Sequence, residues 1–241
     1  MHSDAPQPRS HYDRSFEITR LCSASPLGVD VVDATYGGFS RFAQAERRRS
    51  SSTIVELAQL DDPDESDYGP DYFETDYEAG SLGGGGHSRL LGPPPRPTTL
   101  CDELGNWVTA VDALHAILPA GARPGAVTVV VLTDGPAGSG RQWTLDDVRR
   151  LIERQGAEFG WDFVFLGANM DAVETGAKMG FARTKSLTFD ASSAGIESAF
   201  FAVSHYLVRK KDPVAQGITG FSNEDCRRVC RRSDAVSRRR W

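Results

Sequence analysis

Two stretches of this chain are apolar almost without interruption, AVTVVVLT at 126–133 and WDFVFLGA at 161–168. Runs of this length, rich in β-branched and aromatic residues, mark strands buried on both faces, as in parallel sheets. Between and around them the apolar positions recur at helical spacing. Residues 100–118 carry Leu100, Leu104, Trp107, Val108, Val111, Leu114 and Ile117 as a broad stripe, which predicts a long helix. Thr144 opens another helix through about Gln155, with Asp146 and Asp147 in its first turn, where they complement the helix dipole. Residues 171–179 predict a short helix ended by Gly180, 185–189 a last strand, and 192–208 a long amphipathic helix. Toward the N-terminus, FEITRLC (16–22) alternates like a strand. GGFSRFAQAERRR (37–49) places Phe39, Phe42 and Ala43 on one helical face, with Asp33 and Thr35 as N-cap candidates. TIVELAQL (53–60) reads as a strand and 72–77 as a candidate next one. Strands alternate with helices, which predicts an α/β fold: a doubly wound, mostly parallel central sheet flanked by helices, a Rossmann-like three-layer sandwich.

Composition adds the flanks. The hydrophobic fraction of 39% is low for a compact domain of 241 residues, so part of the chain is expected to lie outside the core. Residues 1–15 read as a polar, disordered tail. Residues 61–97 read as a flexible insertion, acidic from Asp61 to Glu78 and then rich in glycine and proline. The four glycines at 83–86 lack the Gly-Lys-Ser/Thr of a phosphate loop, and the acidic run lacks the spacing of an EF-hand. The domain is expected over 16–209, followed by a basic tail at 210–241 with a short, solvated helix. The net charge of −6 argues against general nucleic-acid binding. No signal-peptide core and no membrane-length apolar run is evident, so a cytoplasmic protein without a membrane partner is expected. Its cysteines, Cys22, Cys101, Cys226 and Cys230, are then expected to be reduced, and their spacing does not suggest a zinc site.

In open α/β sheets ligands bind at the carboxyl ends of the strands. The polar residues expected there are Asp134, Asn169 and Asp171, with Thr98 and Thr99 opening the long helix, Asp102 one turn in, and Ser23 and Ser25 after the first strand. Hydroxyls and a carboxylate converging at one edge are hard oxygen ligands suited to Mg2+ or Mn2+. The plainer reading is that Thr98 caps a helix and Asp134 bonds to loop amides. The five histidines, His2, His11, His87, His115 and His205, form no nucleophile–base pattern.

VVVLTDG (129–135) resembles the fourth-strand motif of von Willebrand factor type A (vWA) domains, and WTLDDVRRLIERQGAEFGWDFVFLGANMDA (143–172) resembles a bacterial cytosolic branch of that family. TTLCDELG (98–105) resembles the family's threonine segment, TYGGFSRF (35–42) its first helix, and LAQLDD (57–62) fits its second strand. The resemblance covers about residues 16–209 and is strongest over 98–172. It implies a metal-ion-dependent adhesion site in which Asp134 and Thr98 hold a divalent ion. The family's Asp-x-Ser-x-Ser motif falls, without gaps, on Ser23-Ala24-Ser25-Pro26-Leu27. Ser25 is kept, while Ser23 and Leu27 replace an aspartate and a serine. The resemblance therefore implies a degenerate site with weak or absent Mg2+ or Mn2+ binding, held by Ser25, Thr98 and Asp134 and rimmed by Thr99, Asn169 and Asp171. Asp33 to Gly37 is the weaker substitute motif. The function implied is a protein-interaction module with a protein partner, not an enzyme. The alternative is a metal-dependent hydrolase or phosphoryl-transfer enzyme using Asp134, Asp171 and Thr98, with Asp102 or Asp33 as a further carboxylate.

Overall fold

A computed structural model of the chain describes residues 17–24, 29–49, 53–60, 99–119, 123, 125–135, 138–212, 214 and 217–229. The expectations for the tail at 1–15, the insertion at 61–97 with its candidate strand 72–77, and the chain end from 230 lie outside these residues.

The elements alternate. They are β1 (Glu17–Ala24), α1 (Val29–Arg49), β2 (Thr53–Leu60), α2 (Leu100–Ile117), β3 (Ala126–Thr133), α3 (Leu145–Phe159), β4 (Asp162–Ala168), α4 (Ala172–Lys178), β5 (Ser186–Phe189) and α5 (Ser193–Lys211). Residues 223–229 form a further helix, α6. The five strands make one sheet in the order β2-β1-β3-β4-β5. Every pairing among them is parallel.

The two apolar runs are the sheet's centre, and their side chains alternate between two cores. Val127, Val129 and Val131 of β3, with Phe163 and Phe165 of β4, join Leu104, Trp107 and Val108 of α2 and Val148, Leu151 and Ile152 of α3. Val130, Leu132, Val164 and Leu166 point the other way, into a cluster with Phe39 and Phe42 of α1 and with α5. A strand buried on both faces has no polar side to show, which is why these segments lack alternation. Burying each such side chain contributes roughly 1.5–3 kcal/mol. In the first cluster Trp107, Trp161 and Phe163 follow one another at centroid spacings of 6.1 and 6.3 Å.

α1 begins well before Gly37. Asp33 and Thr35 are therefore interior helical positions and not N-caps, and the substitute motif at Asp33 to Gly37 lies within a helix instead of a loop. Gly38 does not interrupt α1, because its missing side chain gives room to the ring of Phe200. Thr144 caps α3 as expected: its hydroxyl accepts from the Asp147 amide, while the Asp147 carboxylate accepts from the Thr144 amide.

Three buried carboxylates organise the α5 side. Asp162, at the start of β4, accepts from Lys185 (2.6 Å), Lys210 (2.8 Å) and the Tyr206 hydroxyl (2.8 Å). Glu46 of α1 pairs with Arg49 and with Lys211 of α5. Asp225 of α6 faces Nδ1 of His205 at 2.6 Å and accepts from Arg209 at 2.8 Å and from the amide and hydroxyl of Ser222. α6 is thus not a solvated helix: Asp225 and Val229 are buried against α5. Replacing Asp225 with alanine should raise amide exchange across 223–229 about tenfold and leave β3 and β4 unchanged. Exchange that stays slow there would show that apolar packing alone holds α6.

Gln155 is fully buried in α3, and among the described residues neither its side-chain oxygen nor its nitrogen has a hydrogen-bond partner. An unpaired buried amide costs about 1–3 kcal/mol. Gln155→Leu, close in volume, should therefore raise the unfolding free energy by an amount of that order in denaturant titration. A fall in stability would contradict the unpaired assignment.

Candidate functional site

The strand order reverses direction at the centre: the chain moves outward from β1 to β2, then returns to place β3 on the other side of β1. In open α/β sheets such a reversal marks the carboxyl ends of the two strands as the place where a ligand is expected. Register pairs Ala24 of β1 with Thr133 of β3. The next residue of β3, Asp134, therefore leaves the sheet level with the end of β1.

Asp134 is half-buried there. Among the described residues it has no hydrogen-bond or ion-pair partner. Among the described residues no loop amide donates to it. The turn after β3 is closed instead by Thr133, whose hydroxyl accepts from the Gly135 amide at 3.2 Å.

The loop-amide role belongs to Asp102. This buried carboxylate, in the first turn of α2, accepts from the amides of Arg141 (2.8 Å), Gln142 (2.9 Å) and Trp143 (2.9 Å). Burial pushes its carboxyl up, but the three amides and the Thr99 hydroxyl outweigh burial and hold it below the usual 3.8. Next to it, burial first and the Asp102 charge second push the Cys101 thiol up to about 11, so it is not a nucleophile at neutral pH. Thr99 precedes α2, and its hydroxyl accepts from the Asp102 amide at 3.2 Å, a capping role. Gly140 lies against this group: a Cβ there would meet Asp102 Oδ1 at 2.1 Å and Thr99 Oγ1 at 2.5 Å. Trp143 then lies across Gly105 of α2 and donates Nε1–H to Asn106 at 2.9 Å.

The other rim residues are also engaged. Asp171 caps α4 by accepting from the Glu174 amide at 2.9 Å. Asn169 holds a left-handed backbone with φ 53°, and its side-chain oxygen accepts from the Ala191 amide at 3.2 Å. That bond ties the end of β4 to the loop after β5. Ser23 does not follow the first strand; it lies inside β1, paired with Gln59 and Leu132. Ser25, Leu27 and Thr98 lie outside the described residues.

No family model and no curated protein matches the chain. What the edge can do must therefore be read from its own groups. Among the described residues no three His, Cys, Asp or Glu side chains are grouped as for a metal ion. Asp102 and Asp171 both accept from backbone amides, whereas Asp134 has no partner among the described residues. A small hard cation needs several oxygen ligands and sheds its water reluctantly. One carboxylate alone does not satisfy it, so tight binding would have to draw on Ser25 and Thr98.

Away from this edge, a shallow groove of about 450 Å3 runs between α2 and α3, lined by Thr109, Trp143, Leu151, Arg150 and Arg154 among others. Both guanidiniums are paired, Arg154 with Asp112 and Arg150 with Asp147. Among the described residues no helix is long and apolar enough to cross a membrane.

Sequence reasoning missed the Asp102 clamp. Its only sequence signal is an acidic residue in the first turn of α2 next to a threonine cap, which many helices share. The three amides it binds lie 39 to 41 residues further on.

Proposed function

We propose that the chain is a protein-interaction module of the vWA type, doubly wound about its parallel sheet. Its recognition edge lies between the ends of β1 and β3. The observation that carries this reading is Asp134: a half-buried carboxylate after β3, level with the end of β1, with no partner among the described residues. An unpaired carboxylate in such a place is poised to meet a group from outside, because burial without a partner is costly. The resemblance of residues 98–172 to vWA domains, with Asp134 in the motif's metal position, supports the same edge.

In this proposal the edge binds Mg2+ or Mn2+ weakly or not at all, because Ser23 and Leu27 stand where the family carries an aspartate and a serine. Ser23 lies inside β1, in pairing register. A partner protein therefore meets Asp134 directly, or through a loosely held hydrated ion, and the best complement is a basic or hydrogen-bond-donating surface. The proposal includes no catalytic step and places the protein in the cytoplasm.

The test is a search for turnover beside a binding assay. Purified protein with 5 mM Mg2+ or Mn2+, a concentration on the order of the weakest metal modules, should not hydrolyse phosphomonoesters, phosphodiesters or nucleoside triphosphates above buffer. Metal-dependent turnover abolished by Asp134→Asn would sink the proposal in favour of a hydrolase.

A further inference from the structure

We infer that Asp102 is a positioning residue for the proposed edge: its carboxylate ties the segment before α3 to the first turn of α2, and so sets Thr99 against Gly140 of that segment. The inference rests on the reading of the Asp134 edge as the recognition site. Four observations converge on it.

Asp102 is almost wholly buried, and its carboxylate is met there by backbone amides. Three successive amides, Arg141, Gln142 and Trp143, all donate to its two oxygens within 2.9 Å. Gly140 leaves just enough room for the carboxylate and for Thr99 Oγ1, so the approach is built into the loop's sequence. Trp143 adds a second attachment, over Gly105 and to Asn106. A charged acceptor with three amide donors holds a loop far more rigidly than one neutral bond, because charge-assisted bonds are shorter and stronger. The α3 N-terminus has its own cap at Thr144 and does not need Asp102. What the clamp adds is the relation between two segments distant in sequence, Thr99–Asp102 and Gly140–Trp143.

The experiment uses the full chain as wild type, Asp102→Asn, Gly140→Ala and, as a control of simple stability loss, Ser192→Ala, which removes the α5 cap. Amide exchange and amide resonances are followed by NMR, and binding is followed with Mn2+ as the probe. In Asp102→Asn, exchange at Arg141, Gln142 and Trp143 should rise at least about tenfold. The resonances of Thr99, Asp134 and Gly135 should shift while those of β4 and α5 stay in place. Gly140→Ala should reproduce the pattern, which covers a failure of Asp102→Asn to fold. Ser192→Ala should lower stability without moving these resonances. If wild type shows a weak Mn2+ effect at Asp134, Asp102→Asn should weaken it at least threefold. If wild type shows no Mn2+ effect but the exchange pattern holds, the clamp stands and the metal part of the functional reading falls. The inference is overturned if Asp134 and Gly135 keep their resonances in Asp102→Asn, or if Ser192→Ala produces the same shifts.

Discussion

Asp162→Ala is expected to lower the unfolding free energy by about 3–5 kcal/mol, the range seen when one partner of a buried ion pair is removed. The wild-type carboxylate is fully buried and takes Lys185, Lys210 and the Tyr206 hydroxyl. Both lysines reach solvent in part, so they can turn outward, and that relief places the loss toward the lower end. Tyr206 cannot turn: it is buried in the α5 core, and its hydroxyl would be left without this partner. For a domain of this size the loss corresponds to roughly 10 °C in Tm.

The same carboxylate sets a pH dependence. Burial pushes the Asp162 carboxyl up, but Lys210 and Lys185 outweigh burial and hold it below the ordinary 3.8. A group depressed on folding stabilises fully above its unfolded pKa and loses that contribution as pH falls through the folded value. The gap between wild type and Asp162→Asn should therefore be constant from pH 7 to about 5 and begin to close only below about pH 4. Denaturant titrations at several pH values check this; a gap that closes near neutrality would point to another group.

Gly105→Ala is the second large effect, and its sign is informative. On helix propensity alone, alanine inside α2 should stabilise by roughly 0.5–1 kcal/mol. A Cβ at 105, however, would stand 2.1–2.4 Å from ring atoms of Trp143. The indole is held by Asn106 and cannot shift without losing that bond. Overpacking of this kind costs about 1–3 kcal/mol, and the lost hydrogen bond and partial exposure of the ring add about 1 kcal/mol or more. The sum outweighs propensity, and a net loss of about 2 kcal/mol is expected. Trp143 emission should shift to the red as the ring moves into water. A more stable variant with unchanged emission would mean that Trp143 does not seat on α2.

These sites show how far the residue pattern carries. β3 and β4 are readable almost to the residue, because a strand buried on both faces is apolar nearly throughout and polar or glycine residues flank it, Gly125 and Asp134 at β3 and Gly160 and Asn169 near the ends of β4. α1 is not. Its first turns, from Val29, carry Asp30 and Asp33, and Gly37-Gly38 look like a break until Phe200 is seen to fill the space that Gly38 leaves. Nothing local in the sequence says that β1 extends through Ala24, so the pattern alone puts Ser23 after the strand. That extension follows from its eight-residue register with both β2 and β3. The composition of the tail, with Arg227 and Arg228, suggests a solvated helix. Asp225 reverses that reading, since it meets His205 and Arg209 only after α5 has formed. At the edge itself, Asp134 was readable from the end of an apolar strand. The engagement of Asp102 was not, because its partners are backbone amides, which leave no trace in residue identity.

Asp134, a carboxylate without a partner among the described residues, is proposed to mark a recognition edge whose metal site is weak or lost. The most direct measurement is titration calorimetry of the full chain with Mg2+ and with Mn2+, beside Asp134→Ala. The expected result is either no heat or binding no tighter than about a millimolar, at the weak end for oxygen-ligand sites, and abolished in Asp134→Ala. Micromolar binding in the wild type, or binding that survives in Asp134→Ala, would contradict the account.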